Sequence, residues 1–180
     1  MVVAADARLG TGMAVIHGTK KLLSRIPTSP SANARAAGPL GSWYATPLFW
    51  KPQVALLVDE DIYLPVLMHL APAATLLQRF ADALERILDA HGAPAPFIET
   101  VTATAHEPVL ARTSNRRALG VMNELAQLAT HHHANGDIDL VTLAVDLART
   151  PIGPLFTTHV SPDRALAVLH TRNPTRSEVP

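Results

Sequence analysis

Apolar side chains recur at helical spacing most regularly in one segment near the middle of the chain. This stripe follows Pro72, ends before Gly92 and Pro94, and consists of Leu76, Leu77, Phe80, Leu84, Ile87 and Leu88. Spacings of three and four residues place these side chains on one face of a helix. Proline suits the first turn of a helix because its missing N–H would have no partner there. The pattern therefore predicts a helix over residues 72–91.

Four other segments have helical patterns bounded by residues typical of helix ends. They span residues 19–26, 114–132, 137–148 and 161–170. Thr19, Ser161 and either Ser114 or Asn115 supply the side-chain oxygen that is preferred at a helix N-cap. Breaks at 135–136 and 151–153 separate the later helices.

Shorter apolar or alternating runs predict strands at 15–17, 43–49, 53–58, 62–68 and 97–104. Short turns at 51–52 and 59–61 join the three central runs, so we expect these strands to form an antiparallel meander. Pro47 and Pro65 cannot donate ladder hydrogen bonds and must lie at a strand edge or bulge. Residues 27–41, rich in Ser, Ala, Pro and Gly, predict a long loop of the kind that is often functional.

These elements predict an α+β fold: a small, mostly antiparallel sheet packed against the helices at 72–91 and 114–132, with a helical C-terminal region. The chain has 180 residues, of which 48% are hydrophobic, which is enough for one domain with a core. We expect a single domain over 13–170, an N-terminal extension over 1–12, with Met13 as an alternative start, and a flexible tail over 171–180.

Charge and composition exclude several classes of function. Fifteen basic and fifteen acidic residues cancel, so no overall field attracts the chain to nucleic acid or to an anionic membrane. The absence of cysteine excludes disulfides, thiolate metal sites and cysteine nucleophiles. No apolar run reaches the ~18 residues of a membrane span, and the apolar start is too short for a signal peptide. We expect a cytoplasmic protein with no membrane association.

Two predicted helix starts have the wrong charge. Lys20 and Lys21 fill the first turn of one helix, and Arg116 and Arg117 that of another, although the N-terminus of a helix is already electropositive. The mismatch indicates an anion site, and the alternative is a pair of capped helices whose cations are simply solvated. Thr113, Ser114 and Asn115, with backbone amides, would position the anion beside these four cations.

Two aromatic residues are further candidates for this site. Trp43 and Tyr44 are adjacent on a predicted strand, so their rings point to opposite faces of the sheet. We expect one ring to lie in the core, which leaves the other available to stack on a base or sugar of a ligand.

Motifs for metals and familiar cofactors are absent. The side chains of His131, His132 and His133 diverge around a helix end, even with Asp137 and Asp139 nearby in sequence. His106-Glu107 and the 59–61 turn are interpreted as solvated loops. The glycines at 10–18 have the wrong spacing for a phosphate loop, and neither GxGxxG nor GxSxG occurs. We expect no metal and no cofactor.

Four blocks of sequence occur in the order of a known family. They are His17-Gly18-Thr19-Lys20-Lys21-Leu22-Leu23, Pro39-Leu40-Gly41-Ser42-Trp43-Tyr44-Ala45, Arg112 to Asn123 and Arg149 to Leu155. Over residues 13–170 the chain resembles the bacterial domain family of unknown function 6933. The resemblance implies no reaction, cofactor or catalytic residue.

The function hypothesis from the residues is a domain that binds a phosphate- or carboxylate-bearing ligand, such as a nucleotide or a nucleic-acid end, at the two cationic helix starts. One alternative is a small hydrolase or transferase that uses the same cations and His17 as acid or base. Another is a protein-interaction module, an accessory of a mobile-element or stress system, with the loop at 27–41 as its contact surface.

Overall fold

The strands form one five-stranded mixed sheet in the computed structural model, which describes residues 12–172. They are β1 (Val15–Gly18), β2 (Ser42–Leu48), β3 (Val54–Asp59), β4 (Pro65–His69) and β5 (Val109–Arg112). The order across the sheet is β4-β3-β2-β1-β5. The central three strands make the predicted antiparallel meander, whereas β1 is parallel to both β2 and β5.

Within residues 12–172 the sheet is joined by six α-helices: α1 (Lys20–Leu23), α2 (Leu76–Ala90), α3 (Ala95–Ala105), α4 (Arg116–Ala134), α5 (Leu140–Ala148) and α6 (Pro162–Arg172). The α+β class and the helical C-terminal region are thus confirmed. No helix within residues 12–172 is both long enough and apolar enough to span a membrane.

The two prolines of the meander lie where they cost no ladder hydrogen bond. Pro47 lies beyond Ala45, the last residue of β2 that pairs with β1, and Pro65 begins the edge strand β4. Both positions agree with the expectation that a proline lies at an edge.

Helices α2 and α4 pack on opposite faces of the sheet. Successive side chains of a strand point to opposite faces. Trp43 meets Phe80 of α2 edge to face, with 5.2 Å between ring centroids. The hydroxyl of Tyr44 instead contacts Asn115, at the start of α4. The sheet therefore has a core on each side.

The predicted strand at 97–104 is wrong, because this segment is helix α3. The prediction rested on the β-propensity of threonine and valine. Phe97, Val101 and Ala105 are all buried and lie four residues apart, which matches a helix face. Thr100 and Thr102 satisfy their hydroxyls by donating to carbonyl oxygens four residues earlier, so neither opposes the helix.

Strand β5 was not predicted, and it adds a second parallel pair to the sheet. It has only four residues and pairs with β1 in parallel, from Val15 with Val109 to Gly18 with Arg112. Most of the predicted N-terminal extension and C-terminal tail lies outside the described residues, except that α6 continues to Arg172.

Candidate functional site

The parallel pairing of β1 with β2 and β5 brings together residues that are far apart in sequence. His17 of β1 is in register with Tyr44 on one side and Ala111 on the other. In-register residues share a face of the sheet. The rings of His17 and Tyr44 consequently stack, with 4.7 Å between centroids and 17° between planes.

A chain of side-chain hydrogen bonds begins at His17. Its Nδ1–H donates to the carbonyl oxygen of Arg112 over 2.9 Å, and its Nε2 lies 3.2 Å from the hydroxyl of Ser42. Ser42 in turn donates to Glu60 Oε2 over 2.6 Å. The other oxygen, Oε1, accepts from the side-chain amide of Asn115 over 2.8 Å. Four separate chain segments thereby meet at the β1–β2–β5 end of the sheet.

The number of protons in this chain is set by its donors and acceptors. A carbonyl oxygen only accepts, so His17 Nδ1 carries a hydrogen. The single hydroxyl hydrogen of Ser42 is directed to Glu60. A contact between Nε2 and the Ser42 oxygen is then a hydrogen bond only if Nε2 also carries a hydrogen. Glu60 accepts at its end of the chain, as a carboxylate does.

Glu60 remains ionised because its hydrogen bonds outweigh its partial burial. Burial alone raises the pKa of the carboxyl group, but the bonds from Ser42 and Asn115 and the nearby charge of His17 lower it. The pKa of Glu60 therefore lies below its ordinary value. The predicted solvated turn at 59–61 is in fact part of the site.

The turn that presents Glu60 is organised by the fully buried Asp59. Its Oδ1 accepts from the backbone N–H groups of Asp61 and Ile62, over 2.9 and 2.8 Å. Its Oδ2 is buried with no hydrogen-bond partner among the described residues. Burial raises the pKa of Asp59 to about 7, although the two backbone bonds oppose this shift. Asp59 thus stabilises the turn through one oxygen, while burial of the other oxygen without a hydrogen bond is unfavourable.

A cavity of about 400 Å³ opens beside His17. The loop at 30–34 forms one wall, where Ser31 N–H donates to the carbonyl of Leu110 over 2.7 Å. His17, the end of β5 and Ser114 complete the lining. Arg112 is a cation in this lining, and none of the lining residues is acidic. The volume lies within the ~300–1,000 Å³ typical of small-molecule pockets.

Four of the sequence-predicted site residues lie together at this place: His17, Tyr44, Ser114 and Asn115. The Tyr44 hydroxyl accepts from the backbone N–H of Asn115 over 3.0 Å and lies 3.5 Å from the Ser114 hydroxyl. Thr113, between β5 and these residues, is half-buried.

The start of α4 satisfies its own N–H groups. Asn115 is the N-cap, and its side-chain oxygen accepts from the backbone N–H groups of Arg117 and Ala118 over 2.9 and 3.2 Å. Arg116 and Arg117 are exposed and do not line the cavity. The cation that lines it is Arg112, on the preceding strand.

The structure does not bring Lys20 and Lys21 to the cavity. Thr19 caps α1 as predicted, but Lys21 Nζ lies 5.6 Å from the ring centroid of Phe49. Phe49 is five residues beyond Tyr44 along the chain, a separation of about 16 Å in extended backbone. Neither lysine lines the cavity, and a site shared by the two cationic helix starts stays a prediction.

The predicted ligand-stacking role of Trp43 or Tyr44 does not fit their burial. Both side chains are 0% exposed. The indole N–H of Trp43 donates to the carbonyl of Leu40 over 2.7 Å. Both rings belong to the core, and Tyr44 takes part in the site through its stacking on His17 and through its hydroxyl.

The histidine run on α4 has a packing role at one position. His133 stacks on Trp50, with 4.2 Å between ring centroids and 8° between planes. Trp50 also donates to the hydroxyl of Thr130 over 3.2 Å. Within residues 12–172, no three His, Asp or Glu side chains lie close enough together to hold a metal ion.

Sequence reasoning missed Ser42, Glu60 and Arg112. A signal for Ser42 was present, since it lies two residues before Tyr44 and so shares its face of a strand. The roles of Glu60 and Arg112 depend on the folded turn and on the pairing of β5, for which the sequence has no local signal.

The family described as a domain of unknown function, DUF6933, matches residues 15–165. The chain belongs to this family, as the four sequence blocks predicted. No curated protein and no solved structure shows a significant match.

Proposed function

We propose that this member of the DUF6933 family binds a small ligand with a phosphate or carboxylate group in the cavity between the loop at 30–34 and β5. The observation that carries the proposal is the lining of that cavity: Arg112, Ser114 and His17 converge there without an acidic residue. The proposal retains the predicted binding of an anion. The cation proposed to bind it is Arg112, and no longer the lysines and arginines at the helix starts.

Each lining group contributes a distinct interaction. The guanidinium of Arg112 matches the geometry of a carboxylate or phosphate and can donate two parallel hydrogen bonds. The hydroxyls of Ser114 and Ser31 supply further donors in the lining. One face of the His17 ring is covered by Tyr44, which leaves the other to contact a planar or apolar part of the ligand.

Binding fits this geometry better than proton transfer by His17. Both ring nitrogens already have partners, the Arg112 carbonyl and the Ser42 hydroxyl. A general acid or base needs a nitrogen within hydrogen-bond reach of the substrate. The hydrolase or transferase alternative would require Ser42 to leave His17 first. The interaction alternative stays a prediction, since most of the loop at 27–41 is exposed, and the structure gives it no specific contact.

Isothermal titration calorimetry with inorganic phosphate, acetate and adenosine monophosphate tests the proposal. We expect at least one probe to bind, and Arg112→Ser to weaken its binding about tenfold or more, since a hydrogen bond to a charged group contributes ~1.5–3 kcal/mol. This substitution preserves the Arg112 carbonyl that His17 uses. Arg116→Ser is the matched control, an exposed arginine four residues away that does not line the cavity.

Two results would contradict the proposal. One is that none of the three probes binds. The other is that Arg112→Ser and Arg116→Ser weaken binding equally, which would indicate attraction to general surface charge instead of a built site.

A further inference from the structure

Positive charge is concentrated in one stretch of the chain, although the whole chain is neutral. Residues 13–58 contain no aspartate or glutamate but include five cations: Lys20, Lys21, Arg25, Arg35 and Lys51. A neutral protein can therefore present a local cationic surface. The elements from β1 to β3 form this part of the molecule.

Two of these cations lie over an exposed aromatic ring, and a third follows that ring closely in sequence. Phe49 is 55% exposed, and its ring centroid is 5.6 Å from Lys21 Nζ and 5.4 Å from Arg25 Cζ. The guanidinium of Arg25 also donates to the side-chain oxygen of Gln53, which orients it. Lys51 is exposed two residues after Phe49. We call Lys21, Arg25, Phe49 and Lys51 the Phe49 surface.

Exposure of one aromatic residue is by itself ordinary. Phe156 is exposed to a similar extent, 62%, but differs from Phe49 in its surroundings. Within residues 12–172, cations lie over the ring of Phe49 but not over that of Phe156. Cations lie over part of the Phe49 ring, and the rest of the side chain is exposed. An open aromatic surface beside cations combines the two interactions of proteins that bind single strands, base stacking and phosphate contact.

We propose that the Phe49 surface binds single-stranded nucleic acid, with an unpaired base on the exposed part of Phe49 and phosphates on Lys21, Arg25 and Lys51. A duplex fits less well, because its bases are already stacked on each other. An acidic peptide would use the cations but has no base to stack on the ring. The proposal is independent of the cavity, since none of these residues lines it.

Fluorescence anisotropy with a labelled oligothymidylate of about 20 nucleotides tests this inference at low salt. We expect Phe49→Leu, which retains an apolar side chain, to weaken binding at least about fivefold. Lys21→Gln and Arg25→Gln should each reduce the slope of log affinity against log salt by about 0.7. Phe156→Leu is the matched control and should leave affinity unchanged. Thermal unfolding monitored by circular dichroism verifies that each variant folds.

The inference is overturned if the oligothymidylate does not bind, or if Phe49→Leu and Phe156→Leu have the same effect. It is also overturned if polyglutamate or a DNA duplex of the same length competes as well as unlabelled oligothymidylate. Either competitor would show that the surface recognises charge alone. Arg112→Ser should not alter this binding, which separates the inference from the proposed function.

Discussion

The imidazole of His17 and the phenol of Tyr44 stack across the parallel pair β1–β2, with 4.7 Å between their centroids. Tyr44 is fully buried and its hydroxyl accepts from the backbone at the start of α4. His17 lines the cavity. A ligand that contacts His17 therefore contacts a ring that is packed directly on the core. The rigidity of this wall favours a preformed pocket, which limits the entropy lost on binding.

The first prediction concerns the hydrogen bond between Ser42 and Glu60. Ser42→Ala removes the hydroxyl that links the Glu60 carboxylate to the His17 imidazole, so we expect the free energy of unfolding to fall by about 1–2 kcal/mol. Glu60→Gln should also destabilise the protein. Because the two side chains are in contact, their effects should be non-additive by at least ~0.5 kcal/mol.

Urea unfolding of both single variants and the double variant near pH 7 measures this coupling. Ser24→Ala is the control, since its hydroxyl only donates to the carbonyl of Lys21 within an exposed turn. Additive effects of Ser42→Ala and Glu60→Gln would mean that the bond adds no stability of its own.

The pH dependence of the Glu60 contribution has a defined sign. Its pKa in the folded protein is below the ordinary value of 4.5, so the stability that it provides is present above that pH. This stability is lost as the pH falls through the folded pKa. The difference between the parent protein and Glu60→Gln should therefore shrink in acid.

The second prediction concerns the buried Asp59, whose pKa is shifted in the opposite direction. Its pKa is about 7 in the folded protein and 3.8 ordinarily. Between these values the folded protein retains a proton that the unfolded chain has released, so stability falls as the pH rises from 4 to 7. Asp59→Asn preserves the oxygen that accepts from Asp61 and Ile62 and removes the ionisation.

We expect Asp59→Asn to exceed the parent protein in unfolding free energy by about 1–3 kcal/mol near pH 8, given ~1.4 kcal/mol per pKa unit. Near pH 4 the two should be nearly equal. Urea titrations at both pH values measure the difference, with Asp61→Asn as the exposed neighbouring control. A variant that is less stable near pH 8 would show that Asp59 is needed as a carboxylate.

Local patterns predicted the elements that depend on neighbouring residues. The stripe around Leu84 gave α2, and the short turns between apolar runs gave the meander. The β-propensity of Thr100 and Thr102 led to the wrong prediction for α3. Burying Phe97 and Val101 on one helix face stabilises the helix by more than this propensity favours a strand. Strand β5 could not be predicted, since four residues carry no clear period and their pairing partner is 94 positions away.

In the candidate site too, features that depend on neighbouring residues could be predicted and features that depend on long-range pairing could not. Asn115 was found because N-cap chemistry is local. The place of Arg112 beside His17 depends on parallel pairing, which joins residues without sequence proximity. Glu60 was interpreted as solvated because a turn with three carboxylates has that appearance in sequence. Its bonds to Ser42 and Asn115 exist only once the sheet and α4 are assembled.

The third prediction uses the two functions of Asn115. Its side-chain oxygen caps α4, and its amide donates to Glu60. Asn115→Ala removes both interactions, so the loss of stability should exceed the ~0.5–2 kcal/mol of a cap alone. Asp139→Ala is the control, because Asp139 caps α5 through the backbone N–H of Thr142 and has no carboxylate partner.

Asn115→Asp separates the cap from the bond to Glu60. The substituted carboxylate can still cap the helix and is favoured by its dipole, but its second oxygen replaces the amide that faced Glu60. Two adjacent carboxylates repel, and they share a proton more readily as the pH falls. We therefore expect Asn115→Asp to be less stable than the parent protein near pH 7, with a gap that narrows towards pH 5. Urea unfolding at the two pH values measures the gap. If the gap does not change with pH, Asn115 contributes to this site only as a helix cap.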